Sequence, residues 1–307
     1  MANLLTLLLV PALLTTSCVD MGAFDQVKED FHYSYPFPAG GRLDFSNRNG
    51  SAQIAGWDRN EIDVSGTKSA NDRADLTQIK INVDVHGSAA SVSAEFPQGG
   101  FGRSYGAQFV IRVPRRTVLG QAQTTNGSIS AEDLEGGGRL SSTNGRILLA
   151  RDAGDYDGYT SNATIEFEEC SGNLTAVTTN GAVRGRLKSG GADVRSTNGS
   201  IDVTLLNPPN GGSVRASTTN GSVTLALAGY HANPINVEST NGSVTLRLPS
   251  DANAHLDAHT NVGTVNYDFT VNGSVSSSKH SVSGDLGSGG PPIMVHTTVG
   301  GIHIEKY

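Results

Sequence analysis

The residues of this chain that are best suited to chemistry lie towards its C-terminus: Glu238, Asp257, His259 and His296, with His255 nearby. Carboxylates and imidazoles on neighbouring strands can transfer protons or bind a transition metal. They can act together only if a regular β repeat places them at equivalent positions on one outer face. A solvated face with scattered histidines is the more ordinary interpretation, and an insertion separates the last two copies of the repeat. We therefore treat the first four as a candidate surface patch and expect no catalytic residue, metal or cofactor.

Other signatures of chemistry are missing from the sequence. It contains no nucleophile elbow, phosphate-binding loop, Cys/His zinc spacing or Gly-Asp calcium repeat. The formal net charge of -7 argues against a nucleic-acid partner, because neutralising phosphates requires a basic surface. The only two cysteines, Cys18 and Cys170, provide no disulfide framework. With Cys18 in another role, Cys170 is expected to be an inert, packed thiol.

The N-terminus resembles an export signal. An apolar run over residues 4–14 is too short to span a bilayer, and small residues then lead to Cys18. This pattern predicts a signal peptide over residues 1–18 with a lipobox-like end, in which Cys18 is the site of lipid attachment. The usual leucine is one place too far from the cysteine, and the first three residues lack Lys or Arg. A cleaved, secreted protein and a cytosolic protein therefore remain alternatives.

A Thr-Asn-Gly motif recurs through the second half of the chain, and we call the place of its asparagine the corner position. Val262 and Val299 occupy the same position in the last two copies. Successive corner positions lie 18 to 22 residues apart, except for a final step of 37. The Asn-Gly pairs that we predict to form structural turns are Asn126 and Gly127, Asn144 and Gly145, Asn180 and Gly181, Asn198 and Gly199, Asn220 and Gly221, and Asn241 and Gly242.

The residue three places after the corner position is β-branched and apolar in every copy, as at Ile129 and Ile147. Apolar residues also recur four and six places before it, with polar residues between them. This period of two predicts two short strands per copy, and copies too small to bury their own apolar faces must stack. The sequence thus predicts an all-β fold, a β-solenoid or β-helix with about 18–22 residues per coil. A β-propeller is the rival, but its blades need about 40–45 residues.

The corner itself should depend on both of its residues. Glycine can take a positive φ there without steric cost, and stacked asparagines can form an amide ladder. Val262 and Val299 would end that ladder. The sequence lacks a strict hexapeptide repeat, which is the usual mark of a left-handed coil, so we expect a right-handed coil.

The remaining segments complete the predicted organisation. Aromatic residues alternating with prolines suggest that residues 19–40 form a tether. Residues 41–118 have longer strands without the repeat and are expected to be a strand-rich N-terminal cap. Residues 119–307 are the solenoid, and a Ser/Gly-rich loop insertion is expected at about 270–292. On the outer face, Asp193 and Arg215 are expected to form an ion pair.

Several of these features together resemble a known bacterial family. They are Leu43–Val64 (LDFSNRNGSAQIAGWDRNEIDV), the Arg112-Val113-Pro114-Arg115 strand end and the Asn-Gly repeats that follow. The chain resembles, over residues 40–307, the "putative-adhesin" domains known as domain of unknown function 4097. The resemblance implies a β-solenoid carried by exported or membrane-anchored proteins, and it implies no catalytic residues.

The expected function follows from this combination. We expect a non-enzymatic solenoid in the cell envelope, lipid-anchored at the outer membrane or a periplasmic face, or secreted. Its partner would be a surface or envelope polymer or protein, which makes the role that of an adhesin or scaffold. One alternative is a carbohydrate-active β-helix hydrolase or lyase, and another is an envelope protein that assembles through open solenoid ends.

Overall fold

The computed structural model describes residues 26–97 and 103–307, and it confirms the all-β solenoid. In these ranges the chain forms 27 strands and one helix of four residues, α1 (Arg73–Leu76). The predicted signal peptide, including Cys18, lies outside the described residues. In the described ranges, none of the helical structure is long and apolar enough to cross a membrane.

The strands form two long sheets, each of which receives one strand from every repeat coil. Sheet A has thirteen strands in this spatial order: β1 (Val27–Pro36), β4 (Glu61–Ala70), β7 (Tyr105–Pro114), β3 (Ala52–Trp57), β9 (Ile129–Glu132), β11 (Ile147–Ala150), β13 (Ile165–Ser171), β15 (Val183–Ser189), β17 (Ile201–Asn207), β19 (Val223–Leu227), β21 (Val244–Leu248), β27 (Ile302–Lys306) and β23 (Val265–Tyr267).

Sheet B has fourteen strands and contains the outer face on which the candidate site lies. Their spatial order is β24 (Val271–Ser278), β25 (Ser281–Leu286), β22 (Ala254–Val262), β26 (Pro292–Val299), β20 (Ile235–Asn241), β18 (Val214–Asn220), β16 (Ala192–Ser196), β14 (Leu174–Thr178), β12 (Tyr156–Thr160), β10 (Gly138–Ser142), β8 (Val118–Thr124), β2 (Arg42–Ser46), β6 (Ala89–Glu95) and β5 (Lys80–His86).

The core is a stack of equivalent residues held in register by parallel pairing. Ile147 of β11 pairs with Ile129 on one side and Ile165 on the other. All three are fully buried, as are the apolar residues at the corresponding inward positions of sheet B, such as Leu140 and Ala176. Because each coil covers the apolar face of the next, the stack has one continuous core. The right-handed coil stays a prediction.

The segment expected to be a tether instead contributes a strand. β1 pairs antiparallel with β4 over its full length, from Val27 opposite Ala70 to Pro36 opposite Glu61. Phe31 and Tyr33 alternate along β1 and pack against the core. The proline in this strand stands at its last position, where no further pairing is needed, so it does not prevent strand formation. The expectation of a tether is thus wrong for residues 27–36.

The C-terminal end differs from expectation in two ways. The insertion at about 270–292 is not a loop, because β24 and β25 form an antiparallel hairpin and β25 pairs with β22. Val282 and Leu286 of this hairpin are fully buried.

The second difference is the place of the last coil. β26 lies between β20 and β22, and β27 lies between β21 and β23. The copy that comes last in the sequence is therefore inserted between two earlier copies.

Candidate functional site

The asparagines at the corner positions form a continuous amide ladder along the solenoid. Each Nδ2 donates to the Oδ1 of the asparagine in the preceding coil at 2.7 to 2.9 Å. The ladder contains Asn49, Asn126, Asn144, Asn162, Asn180, Asn198, Asn220 and Asn241. The valine of the next coil, Val299, pairs in register with Asn241 and is exposed, so the ladder stops there.

The glycine after the corner has a different role from the one expected. Gly127, Gly145 and the equivalent glycines up to Gly242 do not adopt the left-handed φ that we predicted. A Cβ on each of these glycines would instead overlap the backbone carbonyl of the coil below, as Gly145 would overlap Gly127. At these glycines two backbones approach closely, although Ala163 occupies the same position in the coil of Asn162, and the positive-φ explanation is wrong for these turns.

A second ladder, which the sequence analysis missed, lies inside the corner. The residue two places before the corner position is a buried Ser or Thr whose hydroxyl donates to the backbone carbonyl of the coil below, at 2.8 to 3.0 Å in eight coils. These residues are Ser142, Thr160, Thr178, Ser196, Thr218, Ser239, Thr260 and Thr297. The recurring motif is thus an architectural device and not a site of chemistry.

The structure brings most of the candidate surface patch together. Because β26 lies between β20 and β22, His296 is directly opposite Glu238 on one side and His259 on the other. The two imidazole rings stack with their centroids 5.6 Å apart and their planes 13° from parallel. Asp257 stands two residues away, opposite Met294, in the adjacent row. The insertion that argued against this patch forms the hairpin on the other side of β22 and does not separate His259 from His296.

The hydrogen bonds of the patch do not connect its members into a proton relay. His259 Nε2 is 2.9 Å from Asn261 Oδ1, and Glu238 accepts a hydrogen bond from Asn236 Nδ2 at 2.9 Å. His255 is bonded to Asp285. In the ranges that the structure describes, no group of three or more His, Cys, Asp or Glu residues could hold a metal ion together.

A groove of about 520 Å³ crosses the same outer face of sheet B. It runs over β14, β16, β18, β20 and β26, and its lining includes Thr175, Asp193, Arg215, Asn236 and Met294, which all lie five places before a corner position. These residues present hydroxyl, carboxylate, guanidinium, amide and thioether groups at the spacing of parallel strands.

The prediction of an ion pair between Asp193 and Arg215 in this groove is wrong. Asp193 and Arg215 are opposite each other, but both carboxylate oxygens of Asp193 accept hydrogen bonds from Arg195, at 2.9 and 2.5 Å. Arg195 lies two residues along the same strand and binds both carboxylate oxygens of Asp193 at once, which is a strong form of ion pair. In the described part of the chain, no ion pair involves Arg215, so its guanidinium is available at the surface of the groove.

One group of titratable residues is buried and cannot meet a ligand. Asp152 is 1% exposed and accepts hydrogen bonds from the amides of Leu134 and Ala150. Burial raises the pKa of its carboxyl to about 7, although these two hydrogen bonds lower it. Burial also raises the pKa of the Cys170 thiol to about 11, as suits a packed and unreactive cysteine.

Solved structures with a similar chain course come from Parabacteroides and Bacteroides species. A "putative adhesin" from Parabacteroides merdae has 10% identity and a TM-score of 0.47, over 91% of this chain and 96% of that chain. A "putative lipid binding protein" from Parabacteroides distasonis has 10% identity and a TM-score of 0.46, over the same shares. A "putative adhesin" from Bacteroides fragilis has 14% identity and a TM-score of 0.40, over 91% and 97%.

A comparison with curated protein sequences gave no match. A comparison with family models agrees with the resemblance found in the sequence. The model of the Toastrack DUF4097 family matches residues 42–305, which is most of the chain, and the protein belongs to that family.

Proposed function

We propose that the protein is an exported, lipid-anchored and non-catalytic solenoid that binds an extended envelope or surface polymer in the groove on sheet B. The observation that carries this proposal is the 520 Å³ groove, which crosses five strands of one face. Five strands at the usual spacing span about 19 Å, so the groove can contact several units of a polymer at once.

The chemistry of the groove favours a polymer that bears acidic groups. Arg215 has a guanidinium free to bind a carboxylate or phosphate with two parallel hydrogen bonds. The neighbouring Asp193 is neutralised by Arg195 and would not repel such a group strongly. Asn236 and Thr175 supply further hydrogen-bonding groups on either side.

The proposed anchor would hold the N-terminal end of the solenoid near a membrane. A lipid on Cys18 would be nine residues from Val27, where β1 begins. An extended chain of that length spans about 30 Å at most, so the solenoid would stay close to the bilayer surface. That position suits an adhesin or scaffold that holds an envelope polymer.

The groove can be tested with the chain from residue 19 onwards and purified acidic and neutral envelope polysaccharides and peptidoglycan. We expect the wild type to bind an acidic polymer and Arg215→Ala to bind it at least tenfold more weakly. Arg184→Ala is the matched control, since Arg184 is an exposed arginine of sheet A that takes part in no ion pair in the described chain. Equal loss in both variants, or no binding to any polymer, would refute the groove as the site.

The same incubations test the non-catalytic part of the proposal. A hydrolase would release new reducing ends from the bound polymer, and a lyase would release unsaturated products. We expect neither after prolonged incubation. Either product, if abolished by Asp257→Ala or His259→Ala, would establish the carbohydrate-active alternative.

The anchor is tested in cells by labelling with an alkyne analogue of palmitate. We expect label in the wild type and none in Cys18→Ser, together with release of the variant from the membrane fraction. Membrane association of Cys18→Ser equal to that of the wild type would contradict lipid attachment at this residue.

A further inference from the structure

We propose that His259 and His296 form a two-histidine site for a divalent transition-metal ion such as Zn²⁺, Ni²⁺ or Cu²⁺. The site lies on the outer face of sheet B, beside the groove, and it does not depend on polymer binding.

The register of the strands gives the pair its geometry. His259 of β22 and His296 of β26 are direct partners in a parallel pair, and their ring centroids are 5.6 Å apart. Imidazole nitrogens bind Zn²⁺ at about 2.0–2.1 Å, so two rings on one tetrahedral ion have centroids about 5 to 6 Å apart. Small rotations of the two exposed side chains would turn the stacked rings towards a shared ion.

The hydrogen bond of His259 prepares one of its nitrogens for a metal. Asn261 Oδ1 lies 2.9 Å from Nε2, and an amide oxygen accepts only, so Nε2 carries the hydrogen. Nδ1 then keeps its lone pair. Such a bond from the far ring nitrogen is the usual support of a metal-binding histidine. His296 makes no ring hydrogen bond within the described chain, so either of its nitrogens can be the second ligand.

Water would supply the remaining ligands. Glu238 follows His296 in the same row, but its carboxylate is held by Asn236, and three protein ligands do not converge in the described ranges. A hollow of about 280 Å³ beside Glu238 and His296 leaves room for water or for an oxygen of a bound ligand. Two imidazoles favour Zn²⁺, Ni²⁺ and Cu²⁺ over Mg²⁺ and Ca²⁺, which prefer oxygen ligands.

The ion would join two coils at the point where the last coil is inserted. β22 and β26 each contribute one ligand, so metal binding should hold these strands together. A ligand that binds only the folded state raises its stability in proportion to the logarithm of its concentration above Kd. Metal should therefore raise the melting temperature as well as bind.

The test is calorimetric titration of the untagged chain from residue 19 onwards with ZnCl₂ and NiCl₂, with MgCl₂ as the hard-cation comparison. We expect one site per chain for Zn²⁺ and Ni²⁺ with Kd below 1 mM, and no heat of binding with Mg²⁺. His259→Gln and His296→Gln should each weaken binding at least tenfold. His255→Gln is the matched control on the same strand, because His255 is bonded to Asp285 and lies outside the pair.

The melting temperature provides the second readout. Zn²⁺ should raise it in the wild type and in His255→Gln, but in neither variant of the pair, and the metal-free melting temperatures will show that all variants fold. Wild-type affinity in His259→Gln or His296→Gln, or a Kd above 1 mM in the wild type, would overturn the proposal. Equal binding of Mg²⁺ would overturn it too.

Discussion

At the scale of single residues, this solenoid has two kinds of glycine, which differ in what an added methyl group would contact. At Gly145 an added Cβ would overlap the backbone of Gly127, whereas at Gly158 it would meet only side chains of the core at 3.6 Å or more. Neither residue has a φ in the left-handed region. Backbone cannot move aside as a side chain can, so the two positions should respond oppositely to substitution.

We expect Gly145→Ala to lower the free energy of unfolding by about 1–3 kcal/mol, because the two coils must separate locally, as they do around Ala163 at the same position of the next coil. Gly158→Ala should be neutral or stabilising by up to about 1 kcal/mol, since it also reduces the entropy of the unfolded chain. Urea unfolding followed by circular dichroism measures both. Similar losses in the two variants would show that close stacking at the corner is not the reason for its glycine.

The buried hydroxyl ladder can be tested at neighbouring threonines. Thr178→Val keeps the shape of the side chain but removes the hydroxyl that donates to Ala163 O at 2.9 Å. We expect a loss of about 1–2 kcal/mol in the free energy of unfolding. Thr179→Val, at the adjacent exposed position, should change it by less than about 0.5 kcal/mol. The prediction fails if Thr179→Val costs as much as Thr178→Val.

The buried carboxyl of Asp152 should make stability depend on pH. Its pKa is raised from an unfolded value near 3.8 to about 7, so the folded state favours the protonated form. Stability from this group is therefore greatest at low pH, falls as pH rises between about 4 and 7, and stays low above that range. The full effect is on the order of 4 kcal/mol.

Asp152→Asn removes the charge and should remove this contribution to the pH dependence. The measurement is the free energy of unfolding of wild type and variant at pH 5 and at pH 8. We expect the wild type to lose more stability than Asp152→Asn over this interval, with the eight histidines contributing equally to both proteins. Parallel pH profiles for the two proteins would rule out Asp152 as the titrating group.

At the scale of elements, the coil that comes last in sequence is the one that holds the C-terminal end together. β26 and β27 are the only strands that connect β20 and β21 to β22 and β23 within the described sheets. In a solenoid with sequential coils, removing the last copy would expose a single edge. Here it removes the contact between two other coils.

We therefore expect deletion of residues 292–307 to unfold the β22–β25 region and to expose the edges of β20 and β21. Hydrogen exchange should accelerate in β20 to β25, while β10, β12 and β14, far from the deletion, keep their protection. Preserved protection in β22 would mean that this strand can pair directly with β20. That result would contradict the structural role given to the inserted coil.

The coils could be predicted from the sequence because apolar and polar residues alternate along the strands of each one. The same alternation would have identified the buried ladder, since Thr178 has the inward parity of Leu174 and Ala176 yet is polar. β1 was missed because its proline was given more weight than the alternation of Phe31 and Tyr33. The place of β26 could not be predicted from local pattern, because strands of similar sequence compete for the same neighbours. The pairing of His259 with His296 depended on that place.

At the scale of the whole molecule, the stack is modular, since each repeat coil contacts mainly its two neighbours. Residues 181–198 form one complete coil, with β15 and β16 and the corner residue Asn198. Removing all of them joins Asn180 to Gly199 and keeps every inward position inward. A solenoid one coil shorter should satisfy the same ladders.

We expect the chain without residues 181–198 to unfold cooperatively, with a lower free energy of unfolding and a smaller m-value than the wild type. The control deletion, residues 182–198, is one residue shorter and reverses the facing of the strand that follows. It should lose cooperative unfolding in urea. If both deletions unfold alike, the coil is not the repeating unit of stability.

The inserted coil also determines the order in which the stack of coils can fold. A chain made and delivered from its N-terminus can add coils one after another as far as β20 and β21. β22 and β23 then arrive before β26 and β27, the strands that join them to the earlier coils, because these two strands lie later in the chain, in residues 292–307. Until residues 292–307 arrive, two coil surfaces stay open, so this part of the stack can close only after they have been delivered. The slow phase of refolding should accordingly be confined to this end of the molecule.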